Sequence, residues 1–229
     1  MLELSEALHD GEVEILGRMP WSSNATFLVE IGENQTRAVY KPGRGERPLH
    51  DFPPNVYRRE IATYELSEHL GFDLIPPTIE HDGPYGIGSM QAFIETDYDV
   101  HYFTLRDDPV HRSYFQRLCA FDIVTNSTDR KAGHCLLDAY GHIWAIDNGL
   151  SFHRQFKLRT VIWDFAGEQI PEAITAALLR LIDDPLPEWL GDFLDPFERD
   201  ALLTRTRALV DADEFPFDET GWGHPWPLV

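Results

Sequence analysis

The stretch over residues 122–153 places two aspartates on either side of a short hairpin, and this arrangement constrains the fold more than any other part of the chain. Residues 135–138 and 142–146 are apolar enough to be strands, and the three residues between them are typical of a turn. Because paired strands are neighbours, we expect Asp129 before the hairpin and Asp147 after it to lie close together. Two such carboxylates, with a His or Asn beside them, form an oxygen-rich site suited to a hard divalent cation and a phosphate chain.

The net charge limits the partners that the chain can bind. Its 229 residues are enough for one domain or one bilobal unit with a substantial core. Nineteen basic and thirty-nine acidic side chains give a formal charge of −20, which would repel a nucleic-acid backbone and an anionic membrane surface. We therefore expect no nucleic-acid binding and no stable membrane association. A phosphate compound would be repelled too, so a phosphate site needs local lysines, backbone amides and metal ions to reverse the field.

Cysteine content and hydropathy favour a cytoplasmic protein. Cys119 and Cys135 are too few for a disulfide framework or a zinc site. The start of the chain has no basic region ahead of an apolar run, and no stretch approaches the length of a membrane span. Export and membrane insertion are therefore not expected.

The first half of the chain is predicted to be mostly sheet. A short helix is expected over residues 2–10, followed by strands over residues 13–16, 26–31, 36–41, 74–80 and 86–95. In the third strand Ala38 and Tyr40 lie on one face, while Val39 and Lys41 lie on the other. Lys41 therefore shares an apolar face, a pattern that a snorkelling lysine would also produce.

The loop between the first two strands contains Ser22, Ser23 and Asn24. One interpretation is a simple connection. The other is a small-residue turn whose amides and hydroxyls cover nucleotide phosphates, in the role of a glycine-rich loop. The glycines at 43 and 45 do not form a P-loop, because GxxxxGK[ST] is absent and no strand-to-helix context surrounds them.

A helix is predicted over residues 55–70, capped by Asn55 and ended by a glycine. Glu60, in its middle, is either a surface carboxylate paired locally with an arginine or the partner of the strand lysine, as in a kinase-type lobe. A change to polar and aromatic composition predicts a boundary near Glu95, with one unit over residues 1–95 and another over 96–229. Nucleotide bases often dock on the backbone of such a connector, here from Phe93 to Glu95.

The second half is predicted to be mostly helical. Helices are expected over residues 111–126, 171–183, 187–194 and 196–210. The end of the sequence is rich in glycine and proline and is expected to be irregular. Its two tryptophans, Trp222 and Trp226, are expected to pin it to the body of the protein.

The parts follow one another as lysine strand, glutamate helix, connector, long helix, aspartate loop, hairpin, second aspartate and helices. This order resembles the protein kinase-like fold, an α+β, bilobal fold with a small antiparallel-sheet N-lobe carrying one helix and a mostly helical C-lobe. The Asp-Arg pair and the aspartate after the hairpin resemble phosphatidylinositol 3- and 4-kinases and their bacterial relatives. More closely, KPGRGERPLHDFP, REIATYELSEHLG, FDIVTNSTDRKAGH, IDNGLSFH and KLRTVIWDFAG resemble a family of actinobacterial proteins related to those kinases.

The kinase resemblance implies ATP as the nucleotide and a role for five residues. Lys41 would contact the α- and β-phosphates, and Glu60 would orient it. Asp129 would position or deprotonate the acceptor, and Asp147 would bind the metal that bridges the phosphates. Lys131 would steady the γ-phosphate, or would simply be solvated.

Two residues depart from the pattern that the resemblance implies. His134 stands where the lipid kinases have a metal-binding Asn, which indicates Mn²⁺ in place of Mg²⁺, a single-metal site or a site without catalysis. Asn148 replaces the aromatic residue after the metal-binding aspartate, and either offers an amide oxygen to the metal or faces away. Arg130 is expected to serve the fold by pairing with a carboxylate.

These residues favour an ATP-dependent phosphotransferase that acts on a protein or small-molecule hydroxyl. Transfer of AMP is open if the nucleotide binds in the reverse sense. A nucleotide-binding pseudokinase or scaffold is the alternative from another class, supported by His134 and Asn148. A metal-dependent hydrolase built on Asp129, His134 and Asp147 is disfavoured because it leaves Lys41 without a role.

Overall fold

An antiparallel sheet of five strands forms the N-terminal part of the protein, in a computed structural model that describes residues 7–9, 11–20, 22 and 24–229. The strands are β1 (Val13–Arg18), β2 (Phe27–Ile31), β3 (Thr36–Pro42), β4 (Thr78–Gly83) and β5 (Gly86–Ala92). Their order is β1-β2-β3-β5-β4, so β3 lies in the middle between β2 and β5. The helix predicted over residues 2–10 lies largely outside the described residues.

The boundaries of β4 and β5 differ from the prediction. β4 begins at Thr78 and not at Leu74, because the two prolines before Thr78 have no N–H group to donate to a ladder. Leu74 and Ile75 are fully buried in the core instead. β5 ends at Ala92, three residues before the predicted end.

The two faces of β3 separate as the alternation predicts. Ala38 and Tyr40 are fully buried in a small core with residues of β2 and β5 such as Val29 and Met90. Val39 and Lys41 lie on the opposite face and line a cavity. The middle strand of the sheet therefore holds a lysine over this cavity.

The first long helix, α1 (Tyr57–Leu70), ends at Gly71 as predicted, but its start differs from the prediction. Asn55 makes no side-chain cap. The Glu46 carboxylate accepts the N–H groups of Val56 at 3.0 Å and Tyr57 at 2.8 Å. A carboxylate at this end is favourable because the free N–H groups and the helix dipole are both positive there.

Replacing Glu46 with alanine is expected to lower the free energy of unfolding by about 1–2 kcal/mol, as for other N-cap losses. Urea unfolding measures this effect. Asn55→Gly is the matched control, since glycine keeps the positive φ of 67° at this position. It should change stability by less than about 0.5 kcal/mol. A larger loss in Asn55→Gly than in Glu46→Ala would assign the cap to Asn55.

Helix α1 is tied to the second half of the chain. Its buried face, with Ala62, Leu66 and Leu70, belongs to the larger of the two hydrophobic cores. Arg59 is buried and pairs with the buried carboxylate of Glu198, 139 positions along the chain. The larger core therefore contains residues from both sides of Glu95. The boundary between residues 1–95 and 96–229 stays a prediction.

The second half contains the helices α2 (Tyr102–Leu105), α3 (Arg112–Thr125), α4 (Glu172–Asp183), α5 (Leu190–Phe193) and α6 (Pro196–Ala212). Helix α6 packs against both α3 and α4. The buried face of α4 consists of the apolar residues that its sequence predicts: Ile174, Ala177, Leu178 and Leu181. Sheet and helices together confirm the predicted α+β class.

The hairpin consists of β6 (Cys135–Leu137) and β7 (Ile143–Ala145), paired antiparallel. It follows a 3-10 turn over Ala132–His134. Its short strands place Cys135 opposite Ala145, so the loops before β6 and after β7 meet at the same end of the hairpin. This end holds the predicted aspartates.

The prediction that Trp222 and Trp226 pin the end of the sequence to the body is wrong. Trp222 and Trp226 are 80% and 87% exposed. Gly223 and Pro225 are the residues that face inward. A Cβ atom on Gly223 would lie 2.7 Å from the Trp163 ring, so the backbone approaches too closely for a side chain to fit.

Within the described ranges, none of the helices is both long enough and apolar enough to span a membrane.

Candidate active site

Lys41 lies between two carboxylates. Its Nζ donates to Glu60 Oε1 at 2.6 Å and to Asp147 Oδ1 at 3.0 Å. Burial alone would lower the pKa of Lys41, but the two carboxylates outweigh burial and raise it. The Lys41 ammonium in turn lowers the pKa of Asp147 well below its usual range. Lysine and aspartate are therefore both charged at neutral pH.

Glu60 is buried and uses both of its carboxylate oxygens. Oε1 accepts from Lys41, and Oε2 accepts the backbone N–H of Asn148 at 2.9 Å. A Cβ atom on Gly149 would lie 3.2 Å from Glu60 Oε1, so the backbone passes close to the carboxylate. Glu60 thus fixes the lysine of β3 and the segment after β7 with one side chain. It does not pair locally with an arginine on the helix surface.

Arg130 holds the loops at the end of the hairpin from inside the protein. Its Nε donates to both oxygens of the fully buried Asp122, at 3.1 and 3.2 Å. Nη1 donates to the Ile146 carbonyl at 2.8 Å, and Nη2 donates to the Asn148 side-chain oxygen. The expected pairing of Arg130 with a carboxylate is therefore present, and it sets the backbone on either side of Asp147.

Asn148 faces away from the cavity. Its Oδ1 accepts from Arg130, its Nδ2 donates to the Ala145 carbonyl at 3.2 Å, and the side chain is buried. Of the two sequence alternatives for Asn148, the structure has the one in which the amide oxygen is not presented to a metal.

Asp147 faces the cavity with a left-handed backbone, at φ 60°. Its side chain is 55% exposed, against 4% for Glu60. The outward orientation leaves its oxygens accessible from the cavity. Asp147 is thus the accessible carboxylate of the pair that holds Lys41.

His134 lies beside Asp147, with 3.6 Å between its Nε2 and Asp147 Oδ2. Burial lowers the pKa of His134 to about 4, so the ring is neutral at pH 7. The backbone N–H of Lys131 donates to Nδ1 at 3.3 Å, which assigns the ring proton to Nε2. Coordination of a metal through Nε2 would require the other tautomer and would break the bond from Lys131.

Asp129 and Lys131 line the same cavity and form an ion pair, with 3.3 Å between Nζ and Oδ2. Burial raises the pKa of the Asp129 carboxyl, and the nearby Lys131 ammonium opposes the shift. A carboxylate with a raised pKa is a better proton acceptor than an ordinary one. The hairpin therefore brings Asp129, His134 and Asp147 to one wall of the cavity.

The cavity has a volume of about 520 Å³, within the usual range for small-molecule sites. Phe93 and Ile94 line it where β5 leaves the sheet, whereas Glu95 is exposed and does not line it. Ser22 and Asn24 also line it, and Ser23 lies outside the described residues.

The side chains of Ser22 and Asn24 already have partners within the protein. The Ser22 hydroxyl bonds to the Thr26 hydroxyl at 2.8 Å. Asn24 Oδ1 accepts the N–H of Arg47 at 3.0 Å. Both bonds hold the β1–β2 loop in place at the wall of the cavity.

The side chains around Asp147 determine how a metal ion could bind at this site. Across residues 7–9, 11–20, 22 and 24–229, no three or more His, Cys, Asp or Glu side chains form a group that could hold a metal ion. Mg²⁺ characteristically uses one or two protein carboxylates together with substrate phosphates and water. Asp147, with Asp129 nearby, fits that mode of binding.

The chain is similar in sequence to a known protein. No protein-family model matches it. Protein Rv2133c of Mycobacterium tuberculosis is 36% identical over 259 residues of alignment, which cover 96% of this chain and 93% of that protein. The chain belongs to the family of protein Rv2133c.

The crystal structure of the proinflammatory kinase CtkA of Helicobacter pylori is similar to this Rv2133c-family structure. The TM-score is 0.53 at 12% sequence identity, over 95% of this chain and 96% of that one. At this identity the similarity concerns the fold. The protein kinase-like fold that the order of parts predicts is therefore confirmed.

In this member of the Rv2133c family the structure adds cavity residues that sequence reasoning missed. Glu46 and Arg47 line the cavity from the segment between β3 and α1. Apolar side chains of Met19, Leu136 and Ile146 complete the walls. The run of charges in residues 44–47 is the feature of the sequence that could have indicated them.

Proposed function

We propose that the protein is an ATP-dependent phosphotransferase that acts on a hydroxyl group of a protein or small molecule. The observation that carries this proposal is Lys41, held between Glu60 and Asp147 at the wall of a 520 Å³ cavity. A buried glutamate that positions a strand lysine beside a metal-binding aspartate is the arrangement that kinases use to hold nucleotide phosphates. The fold shared with the kinase CtkA supports the same reaction class.

Each charged residue then has a defined task. Lys41 binds the nucleotide phosphates, and Glu60 holds its ammonium in place. Asp147, with its accessible oxygens, holds a divalent cation, Mg²⁺ or Mn²⁺. The cation neutralises charge on the phosphates when it is bound. Asp129 accepts the proton of the acceptor hydroxyl or orients it, and Lys131 beside it adds positive charge near the transferred group.

The nucleotide base is assigned to the apolar part of the cavity. Phe93 and Ile94 lie where the chain leaves the sheet, and Val39 and Leu136 add apolar side chains to the lining of the cavity. A flat aromatic base between such walls buries apolar surface on both faces. This assignment places the phosphates toward Lys41.

Kinship with phosphatidylinositol 3- and 4-kinases is part of the proposal, but a lipid acceptor is not. The net charge of −20 opposes work at an anionic membrane surface. A protein or small-molecule acceptor is therefore preferred.

Phosphorus NMR of ATP with the purified protein tests the reaction, with Mg²⁺ and with Mn²⁺, and with Asp147→Ala as the control. The expected result is ADP together with a phosphorylated protein or added acceptor in the wild type alone. Detection of AMP attached to the protein would show that the reaction is AMP transfer and not phosphoryl transfer. ATP that stays intact under every condition, with a full set of candidate acceptors, would contradict the proposal.

A nucleotide-binding pseudokinase is the second candidate, and the orientation of Asn148 favours it. Its amide is bound to Arg130, and the assigned tautomer of His134 places a proton on the nitrogen that faces Asp147. Fewer groups then remain to hold a cation. Under this alternative, ATP signals broaden with the wild type but not with Asp147→Ala, and ATP is not consumed.

Replacing His134 with asparagine is expected to shift the metal preference toward Mg²⁺. An amide oxygen would take the place of an imidazole, and Mg²⁺ prefers oxygen ligands. Titrations of nucleotide binding with Mg²⁺ and with Mn²⁺ measure the ratio of the two affinities. We expect this ratio to change by about tenfold in favour of Mg²⁺. An unchanged ratio would place His134 outside the metal site.

A further inference from the structure

Residues 222–228 form an irregular segment, with bends at residues 224, 226 and 227, that lies against the loops of the candidate active site. The Gly223 carbonyl accepts the N–H of Thr160 at 2.9 Å and the indole N–H of Trp163 at 3.1 Å. At the other end, the Leu228 carbonyl accepts the N–H of Ala132 at 2.8 Å. The backbone of this segment is therefore held at both ends.

The held segment presents alternate side chains to the outside. Gly223 and Pro225 are buried, while Trp222, His224 and Trp226 are exposed. We call these three exposed aromatic side chains the tryptophan face (Trp222, His224 and Trp226).

The tryptophan face lies beside the loop that carries Asp129 and Lys131. Ala132, which bonds to Leu228, directly follows Lys131 in the chain. Thr160, which bonds to Gly223, forms a parallel bridge with Arg130, the residue after Asp129. An acceptor bound on the tryptophan face would therefore lie next to the proposed acceptor-activating residues.

Two nearly fully exposed tryptophans on an anchored backbone need an explanation. Tryptophan has a large apolar ring that a protein without a partner for it tends to bury. Here the backbone contacts hold both rings in the solvent. Such exposure is typical of a surface that a partner covers.

A carboxylate lies against the segment that carries the tryptophan face, since Asp218 Oδ2 accepts the N–H of Gly223 at 2.9 Å. Residues 208–229 contain five acidic side chains and neither lysine nor arginine. The whole chain carries a charge of −20. Arginine and lysine bind favourably over the face of an indole ring and are attracted by nearby carboxylates.

We propose that the tryptophan face docks an arginine- or lysine-rich segment of a polypeptide acceptor. That the docked polypeptide is also the phosphate acceptor rests on the proposed phosphotransferase activity, whereas the docking itself does not. The cations of the acceptor lie over Trp222 and Trp226, and its hydroxyl-bearing residue reaches Asp129 along the adjoining loop.

Calorimetric titration with a synthetic nine-residue peptide, one serine flanked by arginines, measures the docking without ATP. We expect the affinity of Trp222→Ala/Trp226→Ala to fall about tenfold, from the loss of two cation–π contacts. The matched control is Tyr140→Ala/Phe197→Ala, which removes two exposed aromatic rings elsewhere and should bind as the wild type does. Thermal unfolding establishes that both variants are folded.

Equal peptide affinity in the wild type and the tryptophan variant would overturn the proposal, because net charge alone would then explain binding. A variant that binds the peptide normally but loses binding to phosphatidylcholine vesicles would overturn it in favour of a lipid surface. Repeating the titration with a lysine peptide of the same length should give weaker binding that depends on the same two tryptophans.

Transfer assays separate this proposal from the proposed function. If the peptide serine is phosphorylated, the tryptophan variant should raise KM for the peptide about tenfold and leave kcat unchanged. Transfer with an unchanged KM would refute the docking and keep the phosphotransferase. Tryptophan-dependent binding without transfer by any variant would keep the docking and refute the phosphotransferase.

Discussion

Asp147→Ala will abolish metal-dependent nucleotide binding, whereas Asp129→Asn will leave binding intact and remove turnover. Asp147 is the exposed carboxylate beside Lys41 and is the proposed ligand of the cation. Changes to groups that merely support a metal ligand cost about 10–100-fold in affinity, so loss of the ligand should cost at least roughly 100-fold. Asp129 does not contact Lys41 and is assigned to the acceptor, where loss of a proton acceptor lowers the rate about 10²–10⁴-fold.

Calorimetry with a non-hydrolysable ATP analogue and Mg²⁺ or Mn²⁺ separates the two variants. Asp107→Ala is the control, since the Asp107 side chain is 90% exposed and lies outside the cavity. Asp147→Asn is a second variant that keeps a hydrogen-bond acceptor for Lys41 but loses the charge. It should bind metal and nucleotide nearly as poorly as Asp147→Ala. Equal loss of binding in the Asp147 and Asp129 variants would contradict the assigned roles.

Arg130→Met will destabilise the protein by about 3–5 kcal/mol, the usual cost when one partner of a buried ion pair is removed. Asp122 is fully buried, and in the variant its carboxylate keeps only the Thr160 hydroxyl, at 3.0 Å. The Ile146 carbonyl and the Asn148 amide oxygen lose their donor as well. Because these groups flank Asp147, the variant should also weaken nucleotide binding.

Urea and thermal unfolding measure this loss, and an unfolding temperature lower by about 6–20 °C corresponds to it for a chain of this size. Arg37→Met is the matched control. Arg37 pairs with Glu30 at 3.7 Å while its side chain is 53% exposed, and such pairs contribute less than about 1 kcal/mol. In the double variant Arg130→Met/Asp122→Leu, part of the stability should return, because no buried charge is left unpaired. Similar losses in Arg130→Met and Arg37→Met would contradict the buried network.

Local patterns in the sequence predicted the parts of the site that depend on chain order. Alternation along β3 put Lys41 and Val39 on one face, and the hairpin put Asp129 and Asp147 at one end of it. Both conclusions need only the geometry of neighbouring residues or of two short paired strands. The shared face of Val39 and Lys41 and the closeness of Asp129 to Asp147 were therefore predictable, whereas the meeting of Lys41 with the aspartates at one cavity was implied only by the kinase resemblance.

Other features were not predictable because they depend on residues that are distant in the sequence. Asn55 has the right position and chemistry for a helix cap, yet Glu46, nine residues earlier, takes the N–H groups. Asn148 had two open orientations, and the guanidinium of the buried Arg130 determines which one is present. In each case a partner brought in by folding outweighs the local preference.

The exposure of Trp222 and Trp226 was also not predictable from the sequence. Large aromatic residues near an irregular end are usually buried, and the sequence favoured that outcome for Trp222 and Trp226. Instead, backbone hydrogen bonds to Thr160 and Ala132 hold the segment, and the close approach of the chain at Gly223 leaves no room for a side chain there.

The sequence by itself determined the α+β class, the order of sheet and helices, the acidic surface and the candidate residues at the hairpin, because periodicity, charge and spacing are local or additive properties. Only the tertiary structure decided that Glu60 joins Lys41 to the backbone of Asn148, that Arg130 is buried on Asp122, and that the tryptophans face the solvent. These contacts join segments whose mutual distance is set by the packing of the whole chain, and no local pattern encodes that distance.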